Sequence, residues 1–118
     1  EQQQADLDEA RDAIAARDFS RLAAVAEHNC LKMHSVMWAS RPPMVYWNAT
    51  TLDCMDAVRQ MQASGVPVFF TIDAGPQLKA VCEPSAVEEV RERLAATPGV
   101  KAVMVTGLGE GARVVDDV

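Results

Sequence analysis

The chain has 118 residues, 49% of them apolar and 24% charged, with a formal net charge of −6. That length and mix suit one globular domain with an ordinary core and exclude a chain disordered throughout. The acidic balance excludes a nucleic-acid or anionic-membrane binder, which needs clustered Lys and Arg, and no apolar run approaches the about 18 residues of a membrane-spanning helix.

The N-terminus, Glu1-Gln2-Gln3-Gln4, carries neither an initiator Met nor a basic-then-apolar leader pattern, so a processed start or a piece of a longer protein is expected. Residues 5–16 are rich in Ala, Leu, Glu and Arg, with Leu7, Ala10 and Ile14 on one stripe, which predicts a helix. Asp18 reads as the N-cap of a second helix, whose buried stripe would be Leu22, Val25, Ala26, Asn29, Cys30, Met33 and Met37. Its opposite face carries Arg21, His28, Lys32 and Ser35. The Met-rich stripe reads as core packing and not as a cofactor pocket.

Cys30, Cys54 and Cys82 are three scattered cysteines with no Cys-x-x-Cys, a usage that fits a reducing, cytoplasmic location. Cys30 and His34 share a helix face at i, i+4, but zinc needs about four ligands, so the pair reads as structural and no metal site is expected. His28 points to a different side from His34.

Arg41-Pro42-Pro43 ends the second helix, because proline lacks an amide donor and biases its predecessor away from helix. Asn48-Ala49-Thr50 matches a glycosylation acceptor by chance. A third helix is predicted from Thr51 or Asp53, burying Cys54, Val58 and Met61 and ending at Ser64-Gly65. Residues 66–72 then form a β-branched and aromatic run that predicts a mostly buried strand, and residues 78–82 a second strand joined to it by a tight turn. Residues 84–96 read as a helix with Pro84 in its first turn. Residues 100–106 and 112–115 are predicted strands flanking Gly107-x-Gly109-x-Gly111. That glycine loop lacks G-x-G-x-x-G spacing and precedes no helix, so it reads as a hairpin turn and not as a phosphate cradle.

The fold class expected is α+β, helices packed on an antiparallel sheet. Its inner part reads as a ferredoxin-like plait lacking its first strand. One loop stands out chemically. Asp73 directly follows the apolar run, so its carboxylate should emerge at the edge of a core. Gly75 lets the backbone approach a ligand closely and Pro76 stiffens the turn. A carboxylate held at a rigid strand end can accept a proton. Equally, Asp is a common turn residue whose side chain bonds nearby amides, and on the residues alone both readings stand.

Phe70-Thr71-Ile72-Asp73-Ala74-Gly75-Pro76, followed by Leu78-Lys79, resembles the "FTxDAGPNxK" segment of diphosphomevalonate decarboxylases, members of the GHMP kinase superfamily. Asp18-Phe19-Ser20-Arg21-Leu22 with Asn29-Cys30-Leu31-Lys32-Met33-His34 resembles the family's "DFxRL" and "NxLxMH". Pro42-Pro43-Met44-Val45-Tyr46 stands where the family has "PPFTY", and Asp56-Ala57-Val58-Arg59 resembles its "AMxxVR"-like helix. Gln77 replaces the usual Asn, and Met44-Val45 replaces Phe-Thr. The resemblance implies that residues 1–118 are a partial GHMP kinase C-terminal-type domain, with the ATP-binding N-terminal domain of the same enzyme as its partner and supplier of the missing strand. It implies ATP- and Mg-dependent decarboxylation of mevalonate 5-diphosphate to isopentenyl diphosphate, with Asp73 catalytic, Ala74 and Gly75 substrate-binding, and a homodimer as the assembly. This chain alone would be inactive. The alternatives are a phosphomevalonate decarboxylase, a mevalonate kinase, or a non-catalytic ferredoxin-like ligand-binding module.

Overall fold

The computed structural model describes residues 2–115. In chain order the elements are α1 (Gln2–Ala16), α2 (Phe19–Trp38), α3 (Ala49–Ala63), β1 (Val68–Thr71), β2 (Lys79–Cys82), a single 3-10 turn (Pro84–Ala86) and α4 (Val87–Ala95). This is the expected α+β architecture: four helices on a two-stranded antiparallel sheet. No described helix is long and apolar enough to cross a membrane.

α1 and α2 form an antiparallel hairpin. α1 closes on a left-handed residue, Arg17 at φ 54°, while the Asp18 amide reaches Ala13 O at 2.9 Å and the Arg17 amide reaches Ile14 O at 3.1 Å. That is the Schellman pattern with Arg where Gly is usual. Asp18 then caps α2 as expected, accepting the Arg21 amide at 3.1 Å. Two ion pairs, each from an acid on α1 to a base on α2, Glu9–Arg21 at 2.8 Å and Asp6–Lys32 at 2.5 Å, hold the helices side by side.

The stripe expected on α2 is buried or half-buried except at Met33, but its deepest residues include two polar ones outside that stripe. Glu27, Cys30 and His34 are its buried residues, whereas Met33 is 41% exposed. The physical reason lies in β1. Its residues 69 and 71 face β2 for hydrogen bonding, so the polar groups of Val68, Phe70 and Ile72 point to the opposite edge. Side chains replace a strand there. Glu27 Oε1 accepts the Phe70 amide at 3.2 Å, Gln62 Nε2 donates to Val68 O at 3.0 Å, and Cys30 and His34 take the groups of Ile72. Glu27 is further bound by Gln62 at 2.6 Å and paired with Arg59 at 3.1 Å, which satisfies a carboxylate only 6% exposed. Covering the edge in this way also prevents unwanted strand pairing.

The core lies between α3, α4 and one face of β1, where Val58, Met61, Val68, Phe70, Ile72, Val90 and Leu94 meet. Phe69 faces the other way, against Phe19, with ring centroids 5.4 Å apart. Burial of both faces confirms the mostly buried strand read from residues 66–72. The register pairs Val68 with Cys82 and Thr71 with Lys79.

α3 starts earlier than expected, because Asn48 and not Thr51 or Asp53 is its cap. The Asn48 side chain accepts the Thr51 amide at 3.0 Å and Thr51 Oγ1 accepts the Asn48 amide at 3.2 Å. This reciprocal pair satisfies two otherwise orphaned donors. Asn48→Ala should therefore lower stability by about 1 kcal/mol, read as a lower urea midpoint.

The strands expected at 100–106 and 112–115 are not present. Residues 100–115 run without any ladder, and Met104, Leu108 and Val114 are more than 90% exposed. A strand exists only through a partner. In a βαββαβ plait the last strand pairs with the first, and no strand precedes β1 among the described residues. The glycines at 107, 109 and 111 consequently form no hairpin turn. Val100 and Val103 still pack against the core.

Candidate active site

β1 and β2 are joined by residues 72–78, a longer connection than the tight turn expected. Both ends of its first half are held. Ile72 is fully buried. Its amide points to Cys30 Sγ at 3.3 Å, and its carbonyl lies 2.8 Å from His34 Nε2 and 3.6 Å from Cys30 Sγ. At the other end Pro76 O accepts the Thr51 hydroxyl at 2.7 Å, which ties the loop to the capped start of α3. Between these anchors Gly75 sits at φ 154°, a conformation that disfavours other residues. A Cβ there would also collide with the Gln77 side chain.

Asp73 therefore leaves the core at a fixed point, as expected. Its carboxylate, however, is 70% exposed and not sheltered at a core edge. Asp73 Oδ2 accepts from Lys79 Nζ at 2.6 Å. Lys79 pairs with Thr71 across the ladder, which places its side chain diagonally beside residue 73. Asp73 and Thr71 border an open groove of about 330 Å³ between α1 and α2, lined also by Asp6, Leu22, Asn29 and Cys30. A proton acceptor with an ammonium neighbour at the mouth of a groove can take a proton from a bound hydroxyl and stabilise charge that develops there.

Asp73, Ala74 and Gly75 are thus together on one anchored loop. Four further contributors were not singled out as site residues from the sequence. Lys79 was visible only as part of the motif. The joint action of Cys30 and His34 was signalled by their i, i+4 spacing, and Thr51 gave no signal beyond its place near a helix start. Among the described residues no three His, Cys, Asp or Glu side chains converge, so these residues do not themselves fit a magnesium site.

The thiols are placed for packing and not for chemistry. Burial pushes Cys30, Cys54 and Cys82 above the ordinary thiol value of 9.0. All three should resist iodoacetamide at pH 7.5 in the native protein and react once unfolded, as read by peptide mass mapping. Above pH 9 the unfolded thiols ionise while the folded ones keep their protons, so the unfolded state binds fewer protons and stability falls as pH rises. The urea midpoint should drop between pH 8.5 and 10 for this reason, and less so in Cys30→Ala.

A family model described as the mevalonate 5-diphosphate decarboxylase C-terminal domain matches residues 3–101. The chain belongs to this family. Among mevalonate-pathway relatives, the phosphomevalonate decarboxylase of Haloferax volcanii is 32% identical over 114 residues, covering 96% of this chain and 35% of its own length. A solved structure concerns the mevalonate diphosphate mediated ATP binding mechanism of the mevalonate diphosphate decarboxylase from Enterococcus faecalis. It shares 38% identity over 78% of this chain and 29% of that one, at a TM-score of 0.74. A structure of MDDEF in complex with MVAPP, AMPPCP and magnesium is 36% identical, covering 81% of this chain and 30% of that one, at a TM-score of 0.76. This decarboxylase C-terminal domain thus spans between 29% and 35% of the length of these relatives.

Proposed function

We propose that this domain supplies the catalytic carboxylate of an ATP-dependent decarboxylase of the mevalonate route, acting on mevalonate 5-diphosphate. The observation that carries the reading is the Asp73-Ala74-Gly75-Pro76 loop, anchored at Ile72 and Pro76 and aimed away from the core beside Lys79, in a domain of the decarboxylase family. Asp73 accepts the proton of the substrate's tertiary hydroxyl as that oxygen attacks the γ-phosphoryl group of ATP, whose bond to the bridging oxygen breaks to release ADP. The phosphate then departs with its C–O bonding pair as carbon dioxide is lost, and the electrons of the broken C–C bond form the double bond of isopentenyl diphosphate. Ala74 and Gly75 lie alongside the substrate, the glycine permitting close backbone approach.

ATP and magnesium are assigned to the N-terminal domain of the same enzyme, which also provides the strand that pairs with residues 100–106. The support is the nucleotide analogue and magnesium in the MDDEF complex, together with the lack of a converging donor set among the described residues here. Residues 1–118 are on this reading a partial GHMP kinase C-terminal-type domain. A cytoplasmic homodimer is the proposed setting, in keeping with three free thiols.

The second reading is a phosphomevalonate decarboxylase, favoured by the Haloferax volcanii relative. The full-length protein should be given mevalonate 5-diphosphate and mevalonate 5-phosphate in parallel with Mg-ATP. A higher kcat/KM for the diphosphate supports the first reading, and preference for the monophosphate establishes the second. ATP consumption that leaves a stable phosphorylated product from both would instead identify a kinase.

A further inference from the structure

His34 is the least economical residue in the interior. It is fully buried, its ring meets that of Trp47 at a tilt of 50° with centroids 4.8 Å apart, and its Nδ1 has no hydrogen-bond partner among the described residues. An apolar ring would fill the same space without burying an orphaned nitrogen, whose lost hydration nothing replaces. Among the described residues the one hydrogen-bond partner of the imidazole is Ile72 O, 2.8 Å from Nε2. A carbonyl oxygen only accepts, so Nε2 carries the hydrogen and donates.

The position of that carbonyl matters. Ile72 C=O belongs to the peptide unit whose far atom is Asp73 Cα, and the six atoms of the unit are coplanar. The ladder ends at Thr71 paired with Lys79, so no strand orients this unit. Cys30, one helical turn before His34, takes the amide on the other side of Ile72. The Asp73 side chain itself is exposed and, among the described residues, held by a solvent-facing lysine. Its aim is therefore set from behind, through the backbone.

We propose that His34, seconded by Cys30, is a positioning residue that fixes the Ile72–Asp73 peptide and thereby the direction of the Asp73 carboxylate. This rests on the reading of Asp73 as the catalytic group. Reacting groups need to be held within a fraction of an ångström, and a displacement of about 1 Å can lower turnover about 100-fold.

The test is made in the full-length enzyme with His34→Phe, which keeps a ring but removes the donor, and His34→Gln, which returns an amide donor near the place of Nε2. His34→Phe should lower kcat roughly 10- to 100-fold with KM for the phosphorylated substrate within about twofold, and His34→Gln should regain most of the loss. Wild-type kcat in His34→Phe overturns the proposal, as does a loss that His34→Gln leaves unrestored. If His34→Phe does not fold, Cys30→Ala should show the same selective fall in kcat, and full turnover there overturns the clamp. Asp73→Asn separates the two levels. Full activity in that variant removes the catalytic reading and this inference together, whereas its loss beside an unaffected His34→Phe removes this inference alone.

Discussion

Asp73→Asn in the full-length enzyme should lower kcat by roughly 10² to 10⁴, equivalent to about 3 to 5 kcal/mol of barrier. The amide keeps the size of the side chain and can still lie against the substrate, but it neither accepts the hydroxyl proton nor carries the charge. KM should therefore change little, since what is removed acts in the transition state and not in substrate binding. Stability should also change little. The carboxylate is 70% exposed and its Lys79 partner 52% exposed, and such surface pairs contribute about 0–1 kcal/mol. A steady-state assay with a parallel urea titration reads both. A drop in kcat accompanied by an equal drop in stability would assign Asp73 a structural part.

Phe70→Ala should give the largest loss of stability among single substitutions in the domain, about 3 to 5 kcal/mol. Phe70 is fully buried at the centre of the cluster formed by α3, α4 and β1, and the Arg59 guanidinium lies 5.4 Å from its ring centre. Its backbone amide is one of the groups held by Glu27. Emptying this position removes apolar contact from both helices and loosens the edge on which Ile72 is held. The urea midpoint should fall, and amide exchange over residues 66–72 should accelerate. Because Asp73 follows three residues later, turnover should fall as well. Phe70→Leu should recover most of both, as a smaller change in volume.

The strand 68–71 and the loop that follows were legible because two signals coincide there. A run of β-branched and aromatic residues ends in Asp-Ala-Gly-Pro, and the same residues carry the family motif. The second helix was legible as an element, and its buried face in part: Cys30 lies on the expected stripe, Glu27 and His34 do not. Periodicity assigns the interior to apolar residues, whereas this helix turns Glu27 and His34 inward because β1 has an edge with no neighbouring strand. That requirement is invisible until the strand and helix are placed together. Asn48 was passed over for a similar reason: its value depends on the reciprocal bonds with Thr51, and in the sequence it reads as one more polar residue near a proline break. Residues 100–106 show the opposite failure. Their composition is that of a strand, yet pairing needs a neighbour that local sequence cannot supply. Lys79 beside Asp73 depends on register, which the length of the connecting loop determines only in three dimensions.

The most direct test of the proposed function is the stoichiometry of carbon dioxide release by the full-length protein. Mevalonate 5-diphosphate labelled at its carboxyl carbon is incubated with Mg-ATP, and labelled gas and ADP are counted over one experiment. The proposed function requires one carbon dioxide for each ATP consumed, and none without ATP. ATP consumption without labelled gas, or a folded protein that does neither, would contradict it.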